Sequence, residues 1–308
     1  MNALGVPVGW AGGTGLTSID QVRREARFAA EAGFDSFWVS QIFAVDPIVA
    51  LAAIADDVAP LREVGTSVVP LSGRHPLALA AQARTAQSAL DGRFTLGIGP
   101  SHQMVVEGFY GESYARPGAR TAEFVEAIAP LLRGEHTNVD GEQVTSHGWL
   151  TIDAEPVPLL LAAMGPRLLE IAGRLTAGTS LGMAVGPTTI AEHVVPIITR
   201  AADEAGRPPP RIKAFPIIAV TDDDAAAHAH SAEQSAIYRD LPAYRAMLDR
   251  EGVDSPADLL VCGSEDLVLT QLQRYIAAGA SELRVAVSNV DDETEQRSRG
   301  FLADLLRG

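Results

Sequence analysis

The sequence predicts a parallel (β/α)8 TIM barrel with insertions, a single domain over residues 1–308. Three observations lead there. Short apolar runs alternate with amphipathic helical segments almost from end to end. The runs read apolar on both faces, as strands must when helices cover one side and a barrel core the other. No dinucleotide fingerprint follows the first run, which argues against an open doubly wound sheet. The nearest approach, Gly13-x-Gly15-x-x-Ser18, lacks the third glycine.

Residues 3–9 open the chain as strand one. The segment 19–32 follows as a helix, with Ser18 placed to cap its first amides and Gly33 to end it. Residues 37–40 make strand two and 47–59 its helix, with Pro47 in the first turn, where a missing N–H is harmless. Strand three spans 64–70 and its helix 76–90; strand four spans 94–98 and its helix 119–133. Residues 134–157 break the rhythm as an insertion with a hairpin around Asp140-Gly141. Strand five (159–163), its helix (166–174), strand six (179–183), its helix (188–205) and strand seven (212–220) resume it. A second, polar-faced helical insertion occupies 222–261, and its Asp222-Asp223-Asp224 run suits a helix N-terminus. Helix seven (266–278), strand eight (282–287) and a closing helix (291–306) complete the chain.

Composition narrows the function. A formal net charge of −15 argues against nucleic acid or an anionic membrane as partner. Cys262 is the single cysteine, which excludes internal disulfides and multi-cysteine zinc sites. The strand ends carry no H-x-H or carboxylate cluster, so no metal is expected, and His228 and His230, two apart on a helix, face different directions. No signal peptide and no apolar run of membrane-spanning length is evident, so a cytoplasmic protein is expected. Lys213 is the only lysine; a Lys-bearing phosphate loop is absent, and any Schiff-base chemistry would have to use that residue.

The informative stretch is RFTLGIGPSHQ, 93–103, where an apolar strand stops at Gly99-Pro100-Ser101-His102. In a parallel barrel the site lies at the C-terminal strand ends, and these residues sit there. So do SVVPLSGRHP (67–76), AAMGPR (162–167) and SQIF (40–43). Small residues let a ligand approach the main chain, and Gly165-Pro166 opens a helix with unpaired amides, a common seat for phosphate.

Together GTSVVPLSGRHPLALAAQA, GRFTLGIGPSHQ, LLLAAMGPRLLEIAG and FDSFWVSQIF resemble the luciferase-like monooxygenase superfamily, in particular its actinobacterial oxidoreductases that use the deazaflavin coenzyme F-420. The resemblance covers essentially the whole chain. It implies hydride transfer between F-420 (8-hydroxy-5-deazaflavin) and a small organic substrate, and a homodimer as the usual assembly. It also implies a non-prolyl cis peptide at Ser67–Val68 backing the ring, contacts to the cofactor from Gly99, Pro100, Ser101 and His102, and a phosphate seat at Ala162, Ala163, Met164, Gly165 and Pro166. Relatives carry a histidine at the end of strand two where this chain has Ile42, beside Gln41. His102, which matches a glutamate near the ring in a relative, and Gln41 are therefore the catalytic candidates. Arg74 and His75 read as a solvated turn or as phosphate contacts, and Trp10, Gly12 and Gly13 as a pocket wall or a mobile loop. The alternatives are an FMN-dependent monooxygenase on the same fold and a non-catalytic cofactor-binding barrel.

Overall fold

In the computed structural model, which describes residues 2–13 and 15–307, the first barrel strand β1 (Val8–Ala11) pairs in parallel with strands from both ends of the chain. One neighbour is β2 (Ser36–Val39). The ring continues through β3 (Glu63–Thr66), β4 (Phe94–Gly99), β5 (Leu159–Leu161), β6 (Gly178–Ser180) and β7 (Arg211–Ala214). It closes through β8 (Glu282–Val287), where Val8 to Trp10 stand opposite Leu283 to Val285. Closure in parallel leaves no edge among the eight strands and excludes the open sheet.

Helices cover the outside as the sequence requires. Ser18 accepts a hydrogen bond from the Gln21 amide at the start of Ile19–Ala32, and Gly33 ends that helix in the left-handed region at φ 90°. Asp223 caps Asp224–Arg239 by accepting from Ala226 N. The hairpin pairs Thr137–Asp140 with Thr145–Gly148, and the Glu123 carboxylate holds its turn by accepting from the Gln143 and Val144 amides.

Several boundaries differ from the sequence reading. Strand one begins at Val8 because Asn2 accepts from the amides of Leu4 and Gly5 and bends residues 2–5 into a turn. The helix after strand two stops at Ala53, not 59, and Asp57 beyond it is held by Arg23 and Arg27 of the preceding helix. The segment 188–205 is not one continuous α-helix: Pro196 has no N–H to give, and Ile190–Val194 forms a π turn ahead of Val195–Glu204. Strand seven breaks at Phe215-Pro216, for the same lack of a donor. Its second part, Ile217–Val220, leaves β6 and pairs with β8 and with Val261–Gly263. The second insertion is therefore two helices, Asp224–Arg239 and Pro242–Glu251, followed by a short 3-10 turn and an added outer strand. Cys262 lies buried on that strand, its thiol donating to His228 Nε2 at 3.3 Å, while His228 Nδ1 donates to Ala257 O. Burial pushes the thiol up to about 11, so it stays protonated. Trp10 does not wall a pocket: it points outward, packs on Phe28 and Phe34, and donates to Glu25.

The barrel interior is polar. Trp38 fills its middle, and Gly9 and Gly65 leave the room it needs; a Cβ at either would lie within 2.6 Å of the indole. Below it, Arg211 makes paired hydrogen bonds to Glu63 (2.8 and 2.7 Å) and to Glu282 (2.7 and 2.8 Å). Lys213, fully buried, lies 3.4 Å from Glu282 and over the Trp38 ring. No helix of the described residues is long and apolar enough to cross a membrane.

Gly97 decides how closely β3 and β4 approach. A Cβ there would stand 2.1 Å from the Thr66 carbonyl oxygen. Gly97→Ala is expected to lose about 3 kcal/mol or more of stability. Gly300→Ala, on the exposed face of a helix with nothing within 4 Å, is expected to gain up to about 1 kcal/mol. Urea midpoints of the two variants check both; an unchanged midpoint for the first would show that the barrel relaxes at this contact.

Lys213 makes stability depend on pH. Burial, opposed by Glu282 and Glu63, pushes its ammonium down to about 7, whereas the unfolded chain holds that proton to about 10.4. Between pH 7 and 9 the unfolded state binds more protons, so stability rises with pH, by up to about 1.4 kcal/mol per unit. Lys213→Met is expected to flatten that rise. Denaturation at pH 7, 8 and 9 measures it, and an identical slope in the variant would assign the effect to other groups.

Candidate active site

Three predicted segments meet at the C-terminal mouth of the barrel. The Ser67–Val68 peptide is cis. A Cβ on Gly99 would lie 3.0 Å from Val68 Cγ2 and 3.1 Å from Ala162 Cβ. The ends of β3, β4 and β5 thus pack into one surface almost bare of side chains. Ala162 N donates to Ile98 O at 2.8 Å and Leu71 N to Gly99 O at 3.0 Å, which fixes both flanks.

The bulge after β3 exists because β3 leaves the ladder early. The Thr66 hydroxyl takes the ladder's place, donating to Gly97 O at 2.7 Å and accepting from Gly97 N at 2.8 Å. Ser67 is buried and faces inward; its hydroxyl pairs with Ser180 at 2.9 Å. Its carbonyl oxygen accepts from the Ser40 hydroxyl and from Arg284 Nη1, the latter at 2.9 Å. Val68 is half-buried, and its carbonyl accepts from Gln41 N at 3.2 Å.

Gln41 is held by its oxygen. Its Oε1 accepts from Arg74, which also pairs with Asp46 at 3.1 Å and donates to Pro70 O at 3.2 Å. Arg74, its side chain only 12% exposed, therefore braces the bulge and is not a solvated turn residue. The Gln41 Nε2 donors have no partner among the described residues. His75 is used locally: Nδ1 accepts from Leu77 N, capping helix Pro76–Ala89, and Nε2 meets Thr145 O at 3.0 Å.

After Gly99 the chain turns through Ser101, whose φ of 64° lies in the left-handed region and whose carbonyl accepts from the Tyr114 hydroxyl. Pro100 lines a small cleft with Leu71 and Tyr114. The turn delivers His102, half-buried, to the second insertion. Its imidazole packs edge-on to Tyr238 (centroids 5.8 Å apart) and tilted on Tyr244 (5.6 Å), and the two tyrosines stack on each other at 5.1 Å. Its ring nitrogens have no hydrogen-bond partner among the described residues. Burial lowers its pKa from the usual histidine value, so the imidazole is neutral near pH 7.

At the other end of this surface, Ala163 is buried and accepts from Thr179 through its carbonyl, and Met164 O meets His193 Nε2 at 2.9 Å, a contact set up by the π turn. Gly165 caps helix Pro166–Leu175 with nothing within 4 Å of a Cβ position. The first in-helix bond is Leu169 N to Gly165 O, which leaves the Arg167 and Leu168 amides unpaired at the open end. The Arg167 side chain lies against Gly118 on the neighbouring helix and forms no ion pair among the described residues. Tyr238, Tyr244, Ser180 and Arg284 join these segments and are not singled out by the sequence reading, in which Arg167 appears only as the end of AAMGPR.

Residues 4–282 match the luciferase-like monooxygenase family. A 5,10-methylenetetrahydromethanopterin reductase of Methanolobus tindarius is 28% identical over 79% of this chain and 74% of its own length. An F420-dependent glucose-6-phosphate dehydrogenase of the actinobacterium Gordonia bronchialis is 29% identical over 58% of this chain and 57% of its own. The solved structure of an F420-dependent secondary alcohol dehydrogenase, in complex with an F420–acetone adduct, superposes with a TM-score of 0.82 over 97% of this chain and 98% of that one, at 18% identity, a likeness of fold alone. By its family match and its closed parallel barrel, the chain belongs to the luciferase-like monooxygenase family.

Proposed function

We propose that the protein is a coenzyme F-420-dependent oxidoreductase that moves a hydride between the deazaflavin and a small organic substrate. The observation that carries this reading is the packing of Val68, Gly99 and Ala162 into one bare surface, followed three residues beyond Gly99 by His102, whose imidazole has no hydrogen-bond partner among the described residues. A planar ring needs a flat seat, and hydride transfer to or from an alcohol or carbonyl needs a group for the accompanying proton. The relatives named as F420-dependent support the cofactor; a shared fold by itself does not choose one.

The residues present fit a phosphate-bearing deazaflavin. Val68, Gly99, Pro100, Ser101 and His102 border the ring seat. Ala162 to Pro166, with the unpaired Arg167 and Leu168 amides and the Arg167 guanidinium, receive the phosphate. When bound, the deazaflavin supplies two-electron hydride chemistry. The protein holds the substrate oxygen through the Gln41 Nε2 donors, where Ile42 replaces the histidine of relatives. The neutral His102 takes the hydroxyl proton as the substrate carbon gives up its hydride, and returns it when the reaction runs toward reduction. Phe43 and Phe109, in contact at 4.7 Å and each 66% exposed, give the rim an apolar lip suited to a substrate with an apolar body.

Fluorescence titration with F-420 and, separately, FMN tests the assignment. Micromolar or tighter binding of F-420, with FMN weaker by about tenfold or more, is expected. The reverse preference moves the protein to FMN-dependent monooxygenases, and binding of neither overturns the reading. His102→Gln is expected to lower kcat by about 10²-fold or more while leaving cofactor affinity within about threefold. In the oxidative direction the acid limb of wild-type activity should lie below the ordinary histidine range, because burial lowers the His102 pKa, and the variant should lose that limb. An unchanged kcat would remove His102 from the chemistry.

A further inference from the structure

Inside the barrel, one cation lacks a carboxylate. Arg211 pairs with Glu63 and Glu282, and Lys213 lies against Glu282. Arg284, only 5% exposed, has no acidic partner among the described residues. Among the described residues its guanidinium makes a single hydrogen bond, from Nη1 to Ser67 O, and its buried Nε has no partner; it lies 3.7 Å from the centroid of the Phe215 ring. A buried charge without a counterion is costly, and proteins seldom keep one without use. This one sits on the barrel side of the Ser67–Val68 peptide, the part of the site that faces the ring seat.

We propose that Arg284 is a positioning and charge-compensating residue for the redox cofactor: it holds the Ser67 carbonyl from inside the barrel and favours the hydride-loaded form over the empty one. The proposal rests on the reading of this site as a deazaflavin seat. A carrier that accepts a hydride takes up one hydrogen nucleus and two electrons, and so gains one negative charge unless a proton follows. A fixed positive charge in a water-poor interior stabilises that added charge far better than solvent does. The floor of the barrel cannot supply it, because the Arg211 charge is met there by Glu63 and Glu282, and Lys213, its ammonium pushed down to about 7, lies against Glu282. Phe215 covers one face of the guanidinium and so limits its hydration.

The test is a comparison of dissociation constants for oxidised and reduced F-420, measured anaerobically on the wild-type protein and on Arg284→Met, Arg284→Gln and Arg284→Lys, with thermal melts to establish folding. The two neutral variants are expected to lose about tenfold in the reduced-to-oxidised affinity ratio, a drop of about 30 mV in the bound two-electron potential. Arg284→Lys, which keeps the charge, is expected to retain the ratio within about threefold. An unchanged ratio in the neutral variants, or an equal loss for both forms, overturns the proposal while leaving the deazaflavin reading intact. If neither neutral variant folds, Arg284→Lys decides: a retained ratio supports compensation by charge, and a collapsed ratio refutes it. A wild-type protein that binds neither form removes the cofactor reading and this proposal together.

Discussion

A backbone carbonyl that leaves a β ladder inside a barrel must find other donors, and the Ser67 oxygen does so at the centre of the site. It accepts from Ser40 at the end of β2 and from Arg284 on β8, while the Ser67 hydroxyl reaches Ser180 on β6. The next carbonyl, that of Val68, accepts from Gln41 N. One dipeptide thus ties the mouth of the barrel together across strands far apart in sequence. Its surroundings are shaped to allow this. Gly97 lets Thr66 come close, Gly99 keeps the surface bare, and Arg74 braces Gln41 and Pro70 from outside.

The polar interior divides into two parts with different work. At the floor, Arg211 pairs with both Glu63 and Glu282, and Lys213 lies 3.4 Å from Glu282 with its Nζ making no hydrogen bond among the described residues. Burial there works to raise the Glu63 pKa, but the Arg211 hydrogen bonds, the positive charges of Lys213 and Arg211 and the Thr95 hydrogen bond together outweigh it and hold the carboxyl below its usual range. Such a cluster fixes strand register without needing a ligand. Above Trp38 the matching stops, and Arg284 is left to a carbonyl and an aromatic face. In barrels of this class the lower end serves stability and the upper end function. The division of charge follows the same line.

The sequence was readable where a local rule settles the outcome. Alternating apolar runs and helices gave the barrel, and strand ends made of small residues gave the mouth at which Val68, Gly99 and Ala162 meet. The resemblance placed the cis bond at Ser67–Val68, where the structure has it. What stayed hidden depended on contacts between distant residues. Nothing near Arg284 in sequence shows that its side chain reaches Ser67, 217 residues away. Arg74 read as a turn residue because its partners, Gln41 and Asp46, lie a full β–α unit earlier. The three-residue strand Val261–Gly263 is too short to show a period and was absorbed into the helical insertion. Trp10 could be placed only with the register of β1, which turns its ring toward the helix and leaves Gly9 facing Trp38.

The tyrosine pair ties the second insertion to His102. Tyr238 and Tyr244 come from two helices separated by the break before Pro242, so neither helix alone presents both, and only their packing brings them to His102. By burying the imidazole without offering it a carboxylate, they help keep it neutral and able to take a proton. The same two rings also bound the space beside it, so the shape available to a substrate and the protonation state of His102 have a common source. An insertion remodelled for a bulkier substrate would hydrate the imidazole and raise its pKa toward the ordinary value. With His102 in the proposed role, specificity and proton transfer would be coupled through this packing, and a change at Tyr238 or Tyr244 would act on both.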